Sequence, residues 1–81
     1  MEILARDSIQ FGDLVCEATH IIGDCIFVCN GKEWSFSQMM REELSFNDIA
    51  DTMVDLDTES KEALSQFMLD NYHDYMAYNG I

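Results

Sequence analysis

The stretch Cys25-Ile-Phe-Val-Cys-Asn-Gly-Lys-Glu-Trp-Ser-Phe36 decides the fold. Asn30-Gly31 separates two runs rich in β-branched, aromatic and sulfur side chains. Both turn residues accept positive φ at little steric cost, as the tight turn between antiparallel strands requires. Residues 25–29 and 32–36 are therefore read as a hairpin. A two-residue turn pairs Cys29 with Lys32, Phe27 with Trp34 and Cys25 with Phe36.

Upstream, residues 15–22 form a further apolar-leaning run, and Gly23-Asp24 reads as the turn that joins it to the hairpin. That turn predicts Ile22 opposite Cys25 and His20 opposite Phe27. These three runs form a meander of about three strands, with an earlier short strand at 2–6 or 8–11 as a further candidate. Side chains alternate between faces along a strand. One face takes Cys16, Ala18, His20, Ile22, Cys25, Phe27, Cys29, Trp34 and Phe36, and is the expected core face. The other takes Val15, Ile21, Ile26 and Val28 among Glu17, Thr19, Glu33 and Ser35. So short a chain has helix enough for one face, which leaves the second aliphatic patch for a partner or a second copy.

Downstream the period changes to that of a helix. Ser35 and Gln38 have capping-box spacing, with Ser37 as an alternative cap, and Trp34 with Met39 suits the accompanying staple. A short helix is predicted from there to about Leu44. Ser45 caps a second helix, with Asp48 three residues on; Phe46, Ile49, Ala50, Met53 and Val54 form its apolar stripe. Asp57 or Thr58 caps the longest helix, 59 to about 78, whose stripe is Ala63, Leu64, Phe67, Met68, Tyr72, Tyr75 and Met76. Asn79-Gly80 ends it, and Ile81 is positioned to fold back on the last turn. The expected fold is α+β: a small antiparallel meander over about 1–36, then two or three helices over 37–81 packed on one face, all in one domain.

The chain has 81 residues, 16 acidic and 4 basic, for a formal charge of −12, with 48% apolar residues. That apolar fraction supports a folded core, so the acidity does not signal disorder. Four basic residues, Arg6, Lys32, Arg41 and Lys61, are too few to neutralise phosphates, so direct binding to nucleic acid or to an anionic membrane is not expected. MEILARDSIQ lacks the basic start and long apolar run of a signal peptide, and the expectation is a cytoplasmic protein with three reduced, buried cysteines.

Cys16, His20, Cys25 and Cys29 invite a zinc reading, but the spacing is not that of zinc sites, and the predicted register puts Cys16 and Cys25 near opposite ends of the hairpin. A Cys16–Cys29 disulfide across diagonal positions is conceivable, though the expected compartment weighs against it. A cysteine nucleophile needs an activating base, and His20 lies two positions from Cys16 along one strand face, beyond hydrogen-bond reach. Residues 55–66, DLDTESKEALSQ, resemble a calcium loop, but Ser60 replaces the turn glycine and Gln66 the bidentate glutamate. No cofactor, no metal ligand and no catalytic residue is assigned, and an enzyme is not expected of so small a core.

What remains is the distribution of charge. Residues 1–40 carry six acids and two bases, and residues 41–81 carry ten acids and two bases. Asp48, Asp51 and Asp55 lie opposite the apolar stripe of the second helix, and Glu59, Glu62, Asp70 and Asp74 decorate the third. Solubility is the plain reading of such charge. The sharper reading is mimicry. Carboxylates three and four residues apart on a helix approach the spacing of phosphates along a strand, and suit a groove lined with Lys and Arg. Those seven acids, with Trp34 and Tyr75 as anchors, form the expected partner-binding set.

In size, charge and layout the chain resembles the small acidic inhibitor proteins of phages and mobile elements, the anti-CRISPR and anti-restriction proteins. No motif is shared, and no functional residue is carried over. The resemblance implies an inhibitor of a basic nuclease or other nucleic-acid-handling complex, working in the host cytoplasm, some of whose kind mimic DNA. An antitoxin or immunity protein, or an interaction module dimerising through the uncovered sheet face, is the alternative. A metal- or redox-active domain built on Cys16, Cys25 and Cys29 is the third.

Overall fold

The computed structural model describes residues 2–53 and 55–80. Four strands come first: β1 (Ile3–Phe11), β2 (Leu14–Ile21), β3 (Asp24–Cys29) and β4 (Lys32–Ser35). Three helices follow: α1 (Phe36–Arg41), α2 (Phe46–Met53) and α3 (Thr58–Asn79). The strands pair antiparallel in chain order, β1-β2-β3-β4, and the helices cover one face. The fold is α+β, with one strand more than the sequence suggested.

The two short candidate strands near the N-terminus are a single nine-residue strand, β1, with a register shift between Ile3 and Ala5. Asn30-Gly31 turns as expected, both residues at positive φ (54° and 74°), with Cys29 opposite Lys32 and Phe27 opposite Trp34. Phe36 does not pair with Cys25, because Ser35, the last residue of β4 and the partner of Ile26, also caps α1, and Phe36 is already the first residue of that helix.

The turn between β2 and β3 corrects the expected register. Its central residues are Ile22-Gly23, with Gly23 at φ 87°, and not Gly23-Asp24. Asp24 is a strand residue whose carboxylate accepts bonds from the backbone N–H of Cys25 (2.8 Å) and Ser37 (3.2 Å) and from the Ser37 hydroxyl (2.8 Å). Holding the start of α1 takes Asp24 out of the turn. His20 therefore faces Cys25, and Cys16 faces Cys29. Sliding the turn by one residue moves the pairing by two, so each side chain keeps its face. Ile22 becomes an exposed turn residue rather than a core one.

The core joins Cys16, Ala18, Cys25, Phe27 and Cys29 of the sheet to Phe36 and Met39 of α1, Ile49 and Ala50 of α2, and Leu64, Phe67, Met68 and Tyr75 of α3. Phe36 stands at its centre, with aromatic contacts to Phe27, Phe46, Tyr72 and Tyr75 at 4.8–5.9 Å between ring centroids. Such tilted and edge-on pairs add to what burial alone contributes.

Each helix begins at a polar cap. Ser35 accepts from the Gln38 N–H (3.2 Å). Ser45 and Asp48 exchange reciprocal bonds (3.2 and 3.4 Å), and Asp57 accepts from the Ser60 N–H (2.8 Å). Helix α1 stops at Arg41, short of Leu44. Glu43 adopts φ 55°, Leu44 N–H bonds to Met39 C=O (3.0 Å) and Glu43 N–H to Met40 C=O (3.3 Å). That is a Schellman ending with glutamate in the glycine position. Gly80, at φ 69°, ends α3. Val54 and Ile81, each given a packing role above, lie outside the described residues.

Candidate partner-binding surface

Fifteen of the sixteen carboxylate residues are exposed, Asp24 being the half-buried exception. Among the described residues one salt bridge forms, Lys61 Nζ to Asp51 Oδ1 at 3.2 Å. Lys32 donates instead to the Thr52 carbonyl (2.6 Å), at the end of α2 where the helix dipole favours a cation. The negative charge is thus neither buried nor neutralised within the chain.

On α3 the buried residues Leu64, Phe67, Met68, Asn71 and Tyr75 recur at three and four positions. Glu59, Glu62, Gln66, Asp70 and His73 fall toward the opposite, exposed side with the same period, and Asp74 is exposed on the flank of the buried face. Gln66 donates to Asp70 (2.9 Å) and holds that carboxylate along the helix. On α2, Ile49 and Ala50 point inward while Asp48 and Asp51 point out. Asp51 and Glu62 share a depression of about 320 Å³ between α2 and α3 with Asn47, Thr58 and Lys61. Asp55 is exposed in the connection between the helices. Asp48 and Asp51 already have partners, in the α2 cap and in Lys61. On α3, Glu59, Glu62, Asp70 and Asp74 form no ion pair among the described residues.

The two aromatic anchors expected at this surface are not there. Tyr75 is 5% exposed and packs on Phe36 and Tyr72. Burial, then the Asp24 carboxylate, raises its phenol above the ordinary tyrosine range. Trp34 is half-buried against the core. Tyr78 is the exposed tyrosine, and its ring meets His20 edge-on at 5.2 Å.

No protein-family model, curated protein or solved structure matches the chain. Its chemistry is therefore read from its own groups.

Cys16 and Cys29 are joined by a disulfide, and Cys25 is free and buried. The expectation of three reduced cysteines is corrected: the true register puts Cys16 and Cys29 opposite each other, not diagonal. Their Cα separation of 4.3 Å is that of the close, non-hydrogen-bonded kind of pair. Among the described residues no three His, Cys, Asp or Glu side chains are placed to hold a metal ion.

Beside the free thiol lies a buried polar network that the sequence did not announce. His20 is 2% exposed and Asn71 is fully buried. Asn71 Nδ2 donates to the Phe67 carbonyl (2.9 Å) and to Asp7 (3.2 Å), which turns its Oδ1 toward His20 Nε2 at 2.8 Å. Only a protonated Nε2 can donate there, so Nε2 carries the hydrogen. His20 Nδ1 is buried with no partner among the described residues. Cys25 Sγ lies 3.9 Å from the same Nε2, which is already occupied by Asn71. The thiol is pushed up to about 12, by burial first and then by the carboxylates of Asp24 and Asp74. A nucleophilic cysteine needs the opposite field, one that favours the thiolate. The network ties α3 to β1 and β2 through Asn71, a polar residue in the middle of an apolar stripe. The spacing of Asn71 from Phe67 and Leu64 was its one visible signal.

Proposed function

We propose that this chain is an inhibitor that occupies a Lys- and Arg-lined groove of a nucleic-acid-handling protein, in the manner of anti-CRISPR and anti-restriction proteins. The observation that carries the reading is the outer face of α3. Glu59, Glu62, Asp70 and Asp74 stand exposed along one side of a 22-residue helix, and none has an ion-pair partner among the described residues. The helix is held by a core and a buried hydrogen-bond network, so its carboxylates are presented without the ordering cost that a flexible acidic tail incurs on binding. The target is a basic protein, and docking is fast because the opposite fields steer the encounter.

The test begins with capture of the target from a host-cell lysate and its identification by mass spectrometry. Affinity is then measured for the chain and for a variant carrying Glu59→Lys, Glu62→Lys, Asp70→Lys and Asp74→Lys. The expected result is binding that competes with nucleic acid, weakens steeply with salt and falls by roughly a hundredfold or more in the variant, since each tenfold is about 1.4 kcal/mol. Undiminished binding by the folded variant at physiological salt overturns the reading.

A further inference from the structure

All three helices pack on one face of the sheet, and on the other face no residue is buried. Val15 and Val28 are 43% and 42% exposed there, with Ile21 and Ile26 half-buried beside them. The register arranges this patch in rows. Glu17 is opposite Val28, and Val28 is opposite Glu33, so a carboxylate flanks the aliphatic residue on each side. In the neighbouring row, Thr19 is opposite Ile26 and Ile26 opposite Ser35. Glu17 and Glu33 are two strand spacings apart, about 9–10 Å. Neither forms a salt bridge among the described residues.

We infer that this face receives a basic amphipathic helix from a protein partner, laid along β3 with its aliphatic stripe on Val28 and Ile26 and its flanking Lys or Arg side chains on Glu17 and Glu33. The dimensions agree. A helix with side chains is about 10–12 Å across, close to the gap between the two carboxylates. Val28 and Ile26 are two residues apart on one strand, about 7 Å, near the rise between i and i+4 of a helix. The seated helix completes a three-layer sandwich and removes the exposed aliphatic patch from water. Charge selects this occupant over a second copy. Arg6, opposite Thr19, lies on the same face, so two such sheets packed face to face, about 10 Å apart, bring four glutamates, Glu17 and Glu33 of each copy, against only two arginines in a desolvated layer. Each copy also brings a net charge of −12. The surface lies across the sheet from α2 and α3, so the inference stands independently of the groove reading.

The test is a titration of the isotope-labelled chain, followed by NMR, with two synthetic peptides. One is a leucine–lysine helix of about 18 residues, long enough to hold its fold, with leucines at i, i+3, i+4 and i+7. The other is a scramble of the same composition with no stripe. The striped peptide is expected to bind roughly tenfold tighter than the scramble, a difference of about 1.4 kcal/mol, and to shift the resonances of Val15, Glu17, Ile26, Val28 and Glu33. Val28→Asp is expected to abolish the preference, and Glu17→Lys with Glu33→Lys to weaken the striped peptide, while the four α3 reversals leave the preference intact. All of these substitutions are at exposed sites, and circular dichroism confirms that each variant is folded. Equal affinity for the two peptides, shifts confined to α2 and α3, or a dimer of the free chain held through this face in sedimentation each overturns the inference.

Discussion

Asn71 Oδ1 accepts a 2.8 Å hydrogen bond from His20 Nε2, so the longest helix is fastened to the second strand at a point where both side chains are buried. The bond makes a prediction about stability. Asn71→Ala leaves the His20 N–H without a partner in the core, at a cost of about 2–3 kcal/mol. For a domain of this size that is a fall in Tm on the order of 10–20 °C, measured by thermal denaturation. Replacing both residues, with His20→Phe and Asn71→Leu, is expected to recover part of the loss, because no buried polar group is then orphaned. An additive double variant contradicts the assigned coupling.

Glu43 holds φ 55° at the end of α1. A side chain in that region costs roughly 1–2 kcal/mol that glycine avoids. Glu43→Gly is expected to stabilise the chain by about 1 kcal/mol, after the greater freedom of glycine in the unfolded state is set against the relief. Glu43→Ala keeps the strain and gains little. Urea unfolding should show the midpoint rising for the glycine variant with an unchanged slope.

The Cys16–Cys29 disulfide closes a loop with a sequence separation of 13. In the chain-entropy account a loop of that size contributes about 3 kcal/mol. Reduction, or Cys16→Ser with Cys29→Ser, is expected to lower stability by that order. Thiol counting on the unfolded protein should find one reactive group before reduction and three after it.

Cys25 gives the alkaline side of the stability profile a definite sign. Its thiol is pushed up to about 12 in the fold, above its ordinary value of 9.0. Below the ordinary value both states hold the proton, and the contribution is intact. As pH rises from about 9 toward about 12 the unfolded chain releases the proton first, so stability falls across that window. Tyr75, raised in the same direction, adds to the loss on the alkaline side of its ordinary value of 10.0. Cys25→Ala is expected to flatten the first part of the decline. Alkylation of native protein at pH 8 should leave Cys25 unmodified until denaturant is added.

Much of the fold was legible because local chemistry and tertiary packing agreed. Asn30-Gly31 has one comfortable turn geometry, and Ser35, Ser45 and Asp57 each cap the helix that follows. The division of strand residues between faces survived because a period of two is insensitive to a shift of two. The Gly23 turn was misplaced because Gly23-Asp24 and Ile22-Gly23 are both acceptable turn pairs; the choice was made by the carboxylate of Asp24 bonding to Ser37, 13 residues away. That long-range contact also set which cysteines meet. The outward face of α3 followed from its period, but Tyr75 was misassigned as an anchor although it stands four residues after Asn71 within the buried stripe; its phenol suggested a surface role that its position on the helix does not allow. Asn71 was passed over because an amide on an apolar stripe identifies neither of its partners.

Every strand pairs only with its neighbour in the chain, through two-residue turns, so the sheet can zip in the order it is synthesised. Such local pairing favours rapid formation, with little loop to close at each step. Four of the core residues, Leu64, Phe67, Met68 and Tyr75, and the buried Asn71 arrive only with α3. The nascent meander must therefore leave Phe27 and its neighbours only partly covered, by Phe36 and the first two helices, until α3 emerges, which makes α3 the step that commits the fold to its native state.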